Sequence, residues 1–207
     1  EFRNIIDWSC LNKQNINTAK TKEIIFWRSG YSSRSHPDVP AIPLIERVNQ
    51  VKLLGVLLTS NLSFTPHIDY ILTVISQRFY LLNQFKKMYL DGAGLSIVFT
   101  ALIVSRILYA LPAIYGFILQ SDIDRLNAMF RKARRWRITA VEYDMDLLST
   151  LADSGLCKKI HSENHCLNHL LPKVRDVNLH NLRDRPIRYI LPRAKLGKLQ
   201  NSFIFRS

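Results

Sequence analysis

The stretch VKLLGVLLTSNLSFTPH, residues 51–67, divides the chain into a strand-rich front and a helical back. Residues 51–58 form an apolar, branched run interrupted once by Gly55, with the length and composition of a buried strand. Thr59, Ser60 and Asn61 then mark a turn, and Thr65 with Pro66 supplies a cap and a first-turn proline for a helix. Upstream, Ile5, Ile6, Trp8 and Leu11 recur at the spacing of an amphipathic helix, and the asparagine-rich residues 12–18 read as a turn. A strand over 20–27, a Ser, Gly and Pro loop over 28–40 and a second strand over 42–48 follow. With residues 51–58 as the third strand, the front half is expected to be a small antiparallel β-meander.

Downstream the period changes. Ile68, Ile71, Leu72, Ile75, Phe79, Leu82 and Phe85 recur every three or four residues, which predicts a long helix over 66–89, closed by Asp91, Gly92, Ala93 and Gly94. Residues 95–119 are almost wholly apolar apart from Arg106, long enough to span a bilayer. Arg106 sits mid-segment, where a charge costs roughly 2.5–3.5 kcal/mol on insertion scales, and Pro112 breaks a helix. A buried core helix is therefore the expectation, with a membrane span as the alternative. A third helix runs from Ser121, as its N-cap, to Arg137, with Ile123, Leu126, Phe130 and Ala133 facing inward. Residues 145–151 and 156–171 read as further short helices. Beyond Pro172 the sequence is irregular, with nine basic and two acidic residues up to Arg206.

The chain of 207 residues is 47% apolar, enough to bury a core, and carries 29 basic against 16 acidic residues, a net charge of +13. That excess points to a polyanion, either nucleic acid or an acidic membrane surface. The three cysteines, Cys10, Cys157 and Cys166, suit a reducing compartment rather than a disulfide framework. The sequence opens on Glu1 with no basic-then-apolar leader pattern, so no targeting peptide is expected and the chain reads as a fragment.

Arg131, Lys132, Arg134 and Arg135, with Trp136 and Arg137, are the first functional candidates. At about 100° per residue the first four cover less than half of a helix circumference, opposite the apolar face. Guanidinium groups so arranged can hold phosphates, and an indole beside them can stack on a base; a solvated face favoured by the helix dipole is the plainer alternative. Cys157, His161, His165 and His169 stand at intervals of four, but twelve residues of helix separate the outer two by about 18 Å, so at most a neighbouring pair meets one metal ion. Ordinary polar histidines are the default. No glycine-rich phosphate loop, nucleophile elbow or zinc-protease motif occurs. The acidic pairs Asp122 with Asp124, and Glu142, Asp144 and Asp146, read as helix starts and solvated turns.

Taken in order, these motifs resemble a family. IDWS at 6–9, Asn12, Asn17, KTKE at 20–23 and IF at 25–26 resemble the stretch that follows the catalytic carboxylates in reverse transcriptases of non-LTR (LINE, jockey-like) retrotransposons. KLLGV at 52–56, Leu58, Leu62, Phe64 and HI at 67–68 are similar to the strand and turn leading from palm to thumb in that family, and SRILY at 105–109 to its thumb. LLP at 170–172, LRDR at 182–185 and NSFI at 201–204 resemble the tail that follows.

The resemblance implies an RNA-directed DNA polymerase segment acting on an RNA template and a DNA primer. Lys20 matches the lysine near the incoming nucleotide's phosphates, with Lys22 as its possible substitute, and Leu53, Leu54 and Gly55 match the primer-grip strand. Phe64 stands where tryptophan is common. The family's paired aspartates are not in this sequence, so no cofactor is expected here, Mg2+ belonging to the full-length parent enzyme, and the chain alone is expected not to polymerise.

The expected fold class is α+β: end of palm over 1–64, a mainly helical thumb over 65–140, and a basic helical or irregular extension over 141–207. The expected partners are nucleic acid and the missing fingers and palm portion of the same polymerase, with no membrane. The expected location is intracellular, in nucleus or cytoplasm for the parent element. A basic helical protein with a membrane-buried segment, and a decayed element copy without function, are the alternatives.

Overall fold

A computed structural model describes residues 2–27, 39–174, 189–190, 193 and 197–206. The fold is α+β and forms two compact units, Glu1–His67 and Ile68–Ser207, the second containing both the expected helical segment and what is described of the expected extension.

The first unit opens with helix α1 (Phe2–Leu11), followed by β1 (Lys22–Glu23), β2 (Glu46–Arg47), β3 (Gln50–Leu53) and β4 (Val56–Thr59). Much of the loop expected over 28–40 lies outside the described residues. The strands do not make a meander. β1 pairs with β2 in parallel, Lys22 opposite Glu46 and Glu23 opposite Arg47, and β3 pairs with β4 as an antiparallel hairpin.

Residues 51–58 are therefore not one buried strand. The chain reverses at Leu54 (φ 46°) and Gly55 (φ 90°) between the paired Leu53 and Val56. Two positive φ values in a two-residue loop match the right-handed twist of the flanking strands. Glycine adopts this conformation without strain, whereas leucine at the first turn position does not.

Alternation along the hairpin turns the Leu57 amide away from β3, and it donates instead to His67 Nδ1 at 3.3 Å. The following turn is closed by the Thr59 hydroxyl, which accepts the Ser63 amide at 2.9 Å, while Asn61 Oδ1 accepts the same amide at 3.1 Å. Among the described residues of this unit only Ser9, Ile45, Phe64 and His67 are buried.

The second unit holds the main core. Helix α2 (Thr65–Lys87), which begins within the first unit, buries Ile68, Ile71, Leu72, Ile75, Phe79 and Leu82, the stripe its period predicts apart from Phe85, which is exposed in the last turn. It closes on Tyr89 (φ 63°), whose amide reaches the Lys86 carbonyl at 3.2 Å while that of Leu90 reaches Phe85 at 3.2 Å. This is a Schellman ending. Asp91 does not help close α2: it caps helix α3 (Gly92–Phe99), accepting the Gly94 amide at 3.0 Å.

The apolar segment continues as a π turn (Thr100–Val104), α4 (Ser105–Leu108), α5 (Leu111–Ile114) and a 3-10 turn (Tyr115–Phe117). Of its buried positions, which also include Val104 and Ile114, Leu95, Phe99, Ile103, Ile107 and Leu111 fall every four residues. Each such step overshoots an α-turn of 3.6 residues by about 40°, and the wider π turn restores the phase. Leu102 and Leu108 are accordingly half-buried, and Ile103 and Ile107 occupy the core. The Leu102 carbonyl accepts the Arg78 guanidinium.

Arg106 donates to the Tyr70 hydroxyl at 3.2 Å and lies over its ring. Gly92–Phe117 is long and apolar enough to cross a membrane by length and composition, and 33% of its most apolar window is buried. After α4 the chain kinks through Ala110 (φ 59°), with Pro112 in the first turn of α5.

Helix α6 (Gln120–Arg135) starts at Leu119 rather than at the expected cap Ser121, and buries Ile123, Leu126, Phe130 and Ala133. Helix α7 (Met145–Ile160) is a single helix, where the sequence suggested two short ones. Its start is fixed by Asp144, which accepts the amides of Asp146 and Leu147. The described part of the tail, in α8 (Gly197–Gln200) and α9 (Phe203–Arg206), is not wholly irregular. Arg206 forms a two-point ion pair with Asp153 (2.7 and 3.0 Å), donates to the Pro112 carbonyl at 2.9 Å and lies over the Tyr115 ring. A Cβ built on Gly116 would overlap the Asn201 carbonyl oxygen, so this close approach requires glycine.

Leu54→Asn, which suits the first turn position, should stabilise the hairpin by about 0.5 kcal/mol, and Gly55→Ala should destabilise it by about 1 kcal/mol. Amide exchange at Leu58 reads both. Asp153→Asn leaves the Arg206 charge largely buried without its counter-ion and should cost about 3 kcal/mol in urea unfolding. Glu142→Gln, in the exposed pair with Arg134, should change stability by less than about 1 kcal/mol.

Candidate nucleic-acid interface

The cationic candidates of the second unit lie on the solvent side of α6, with its core face anchored by Phe130 and Ala133. At the start of the helix Asp122 is buried and accepts from Arg125 Nη1 at 2.8 Å; Arg125 Nη2 reaches across to Asp69 of α2 at 2.6 Å. The hydrogen bond to Asp69, then that to Asp122, raises the pKa of the guanidinium beyond its ordinary value. Arg125 is thus a structural tie between α2 and α6. An open groove of about 710 Å³ follows, with Leu72, Ala128 and Met129 among its lining and Arg125, Arg131, Lys132 and Arg135 supplying its charge.

The cations are not equivalent. Lys132 Nζ lies 4.5 Å from the centre of the Trp136 ring and 5.3 Å from that of Phe79, a cation held against two π faces. Trp136 packs edge-on against Phe79, centroids 5.7 Å apart, and its carbonyl accepts Lys86 Nζ at 2.6 Å. The indole is therefore engaged in packing and is only half exposed. Arg134 pairs with Glu142 at 2.6 Å in solvent. Arg131, Arg135 and Arg137 are exposed.

Arg137 has φ 53° and occupies the position after the α6 cap, with its amide on the Arg134 carbonyl (2.9 Å) and the Ile138 amide on Ala133 (3.0 Å). This is the Schellman ending again, with arginine where glycine is usual. The structure also adds what the sequence reading missed. Lys86 and Lys87, both exposed in the last turn of α2, join the cluster through the Lys86–Trp136 contact. A basic last turn was visible in the sequence; its meeting with Arg134 to Arg137, some fifty residues later, was not.

In the first unit, Lys20 is exposed on the turn before β1, its amide held by Asn17 Oδ1 at 3.1 Å. Lys22 is committed to an ion pair with Glu46 across the parallel strands. Leu53 and Leu54 are 57% and 82% exposed and, with Gly55, form the tip of the hairpin. Leu53, Leu54 and Gly55 thus stand together within the first unit, and Arg131 to Arg137 together within the second.

The histidine series does not form a metal set. Helix α7 ends at Ile160, so the fourfold spacing does not continue on one helix. His161 Nδ1 donates to the Cys157 carbonyl at 2.6 Å and its Nε2 lies 2.5 Å from the Tyr189 hydroxyl, while His165 Nδ1 accepts the Leu167 amide. Among the described residues no group of three or more His, Cys, Asp and Glu side chains is placed to hold a metal ion.

The acidic residues near the helices are engaged elsewhere: Asp144 caps α7, and Asp146 accepts the Tyr115 hydroxyl. Burial and that carboxylate push the Tyr115 pKa upward.

The arrangement supports charge-assisted hydrogen bonding to phosphodiesters, through planar guanidinium groups held on a rigid two-helix support. Comparisons with protein-family models, with curated proteins and with solved structures find no match for the chain.

Proposed function

We propose that this chain is the primer-grip and thumb portion of an RNA-directed DNA polymerase of the non-LTR, LINE or jockey-like retrotransposon type. Its part in that enzyme is to hold the backbone of an RNA template and its DNA primer. The observation that carries this reading is the convergence of the C-terminal ends of α2 and α6, where Lys86 and Lys87 join Arg131, Arg134, Arg135 and Arg137. The ordered motifs from residue 6 to residue 204, and the net charge of +13, support the same reading.

The exposed hairpin tip Leu53, Leu54 and Gly55 is the primer-grip element on this reading, and Lys20 the phosphate-contacting lysine. The nucleotidyl transfer itself belongs to carboxylates and metal ions outside this sequence, so the chain alone binds and does not polymerise. Such binding is independent of base sequence and salt-sensitive, because it rests on phosphates. The alternative of a membrane-buried segment draws on the length and apolarity of Gly92–Phe117; a protein that stays monomeric in buffer without detergent or lipid excludes it.

Anisotropy of a labelled RNA/DNA hybrid tests the leading reading. Affinity should fall about a thousandfold between about 50 and about 200 mM salt, as for roughly six phosphate contacts. The variant with Arg131, Arg134 and Arg135 all changed to alanine should bind more weakly and lower the steepness of the log–log salt dependence by about two to three. Affinity and slope equal to those of the unmodified chain sink the assignment.

A further inference from the structure

Tyr89 stands at the end of α2 in the left-handed conformation (φ 63°), and 96% of it is exposed. Lysine and arginine hold the equivalent positions after α1 and α6, at Lys13 (φ 53°) and Arg137 (φ 53°), where a positive charge suits the electronegative end of a helix. Tyrosine has neither that benefit nor the conformational freedom of glycine. Its ring makes no hydrogen bond or ring contact with the described residues, so the packing of this unit does not account for it.

Its neighbours supply a context. Lys86 lies three residues before Tyr89, about one helical turn, and donates to the Trp136 carbonyl at the foot of the α6 cluster. Lys87 and Met88 between them are exposed, Met88 at 75%. The carboxylates close by are already engaged: Glu142 pairs with Arg134, and Asp91 caps α3. An exposed aromatic ring one turn from Lys86, which itself reaches the arginine-rich end of α6, is a combination that binds a strand whose bases are not stacked on one another, the cations tracking phosphates and the ring taking a base. An unbroken duplex offers the phosphates but keeps its base faces covered.

Resting on the nucleic-acid reading above, we infer that Tyr89 is a stacking platform for an unpaired nucleobase, and that the α2–α6 end accepts single-stranded nucleic acid. Arginine-rich charge favours phosphodiesters, whose oxygens match the planar guanidinium fork.

The whole chain is titrated with labelled oligo-dT, oligo-U and a base-paired duplex of similar length, as the unmodified protein, Tyr89→Gly and Tyr89→Phe. Tyr89→Gly should weaken both single strands about tenfold and leave the duplex unchanged, and Tyr89→Phe should bind as the unmodified chain does. Glycine removes the left-handed strain, so a melting temperature no lower than that of the unmodified chain separates lost stacking from lost fold. Equal single-strand affinities for Tyr89→Gly and the unmodified chain overturn the platform. If the triple arginine variant is weakened in that case, phosphate binding stands without it. Failure of the unmodified chain to bind any of the three overturns both. Binding to phosphatidylserine and phosphatidylcholine vesicles that Tyr89→Gly abolishes, with oligonucleotide affinity unaltered, overturns it in favour of a lipid surface.

Discussion

The second unit depends on Phe79. It is 2% exposed, and its ring meets three side chains: Phe99 of α3 at 6.2 Å between centroids, Trp136 at the end of α6 at 5.7 Å, and the Lys132 ammonium of α6 at 5.3 Å from its centre. Burial of such a side chain contributes about 1.5–3 kcal/mol, and the aromatic contacts, edge-on with Trp136 and tilted with Phe99, add about 1 kcal/mol each. Its positional effect matters more. Phe79 holds the end of α6 against α2, and through that contact it fixes where the cations of both helices stand. The polar surface is set by an apolar side chain.

This explains how so many like charges share one end of a unit. Helix C-termini are electronegative, and a cation in the last turn gains roughly 0.3–1 kcal/mol from the dipole. Lys86 contributes a direct hydrogen bond to the carbonyl at the end of α6, and Lys132 is stabilised by two π faces. Arg134 has Glu142. The structure uses part of the positive charge to close its own helices and leaves Arg131, Arg135 and Arg137 exposed to solvent. Exposed and structurally engaged cations are thus interleaved along a single stretch of sequence, and their surroundings follow from neighbours rather than from residue type.

That distinction limits what the sequence conveys. The buried stripe of α2 and the inward face of α6 are legible, because 3.6-residue periodicity is a local property and Ile68, Ile75, Phe79, Phe130 and Ala133 obey it. Gly55 was read as an interruption in one strand because its turn partner is Leu54, not the asparagine or aspartate that usually marks a two-residue hairpin. Which residues of the apolar segment are core, Ile103 and Ile107 rather than the half-buried Leu102 and Leu108, is not legible, because a π turn shifts the helical phase and a continuous apolar run carries no mark of where that shift occurs. Gly155 does not divide α7, whose start is set by Asp144. In the candidate site the basic stripe was legible and its sorting was not: Lys132 and Trp136 are engaged by Phe79, a residue more than fifty positions away.

The contact between Arg206 and the Pro112 carbonyl spans 94 positions along the chain. Closing a loop of that length carries an entropy cost of about 4 kcal/mol from its logarithmic term alone, whereas the segments from α3 to α4 meet through near neighbours. The clasp offsets that cost by engaging three groups at once: the Pro112 carbonyl, the Tyr115 ring and the Asp153 carboxylate. The end of the described chain is thus tied to α5 and α7 by one side chain, so a single residue links segments nearly a hundred positions apart.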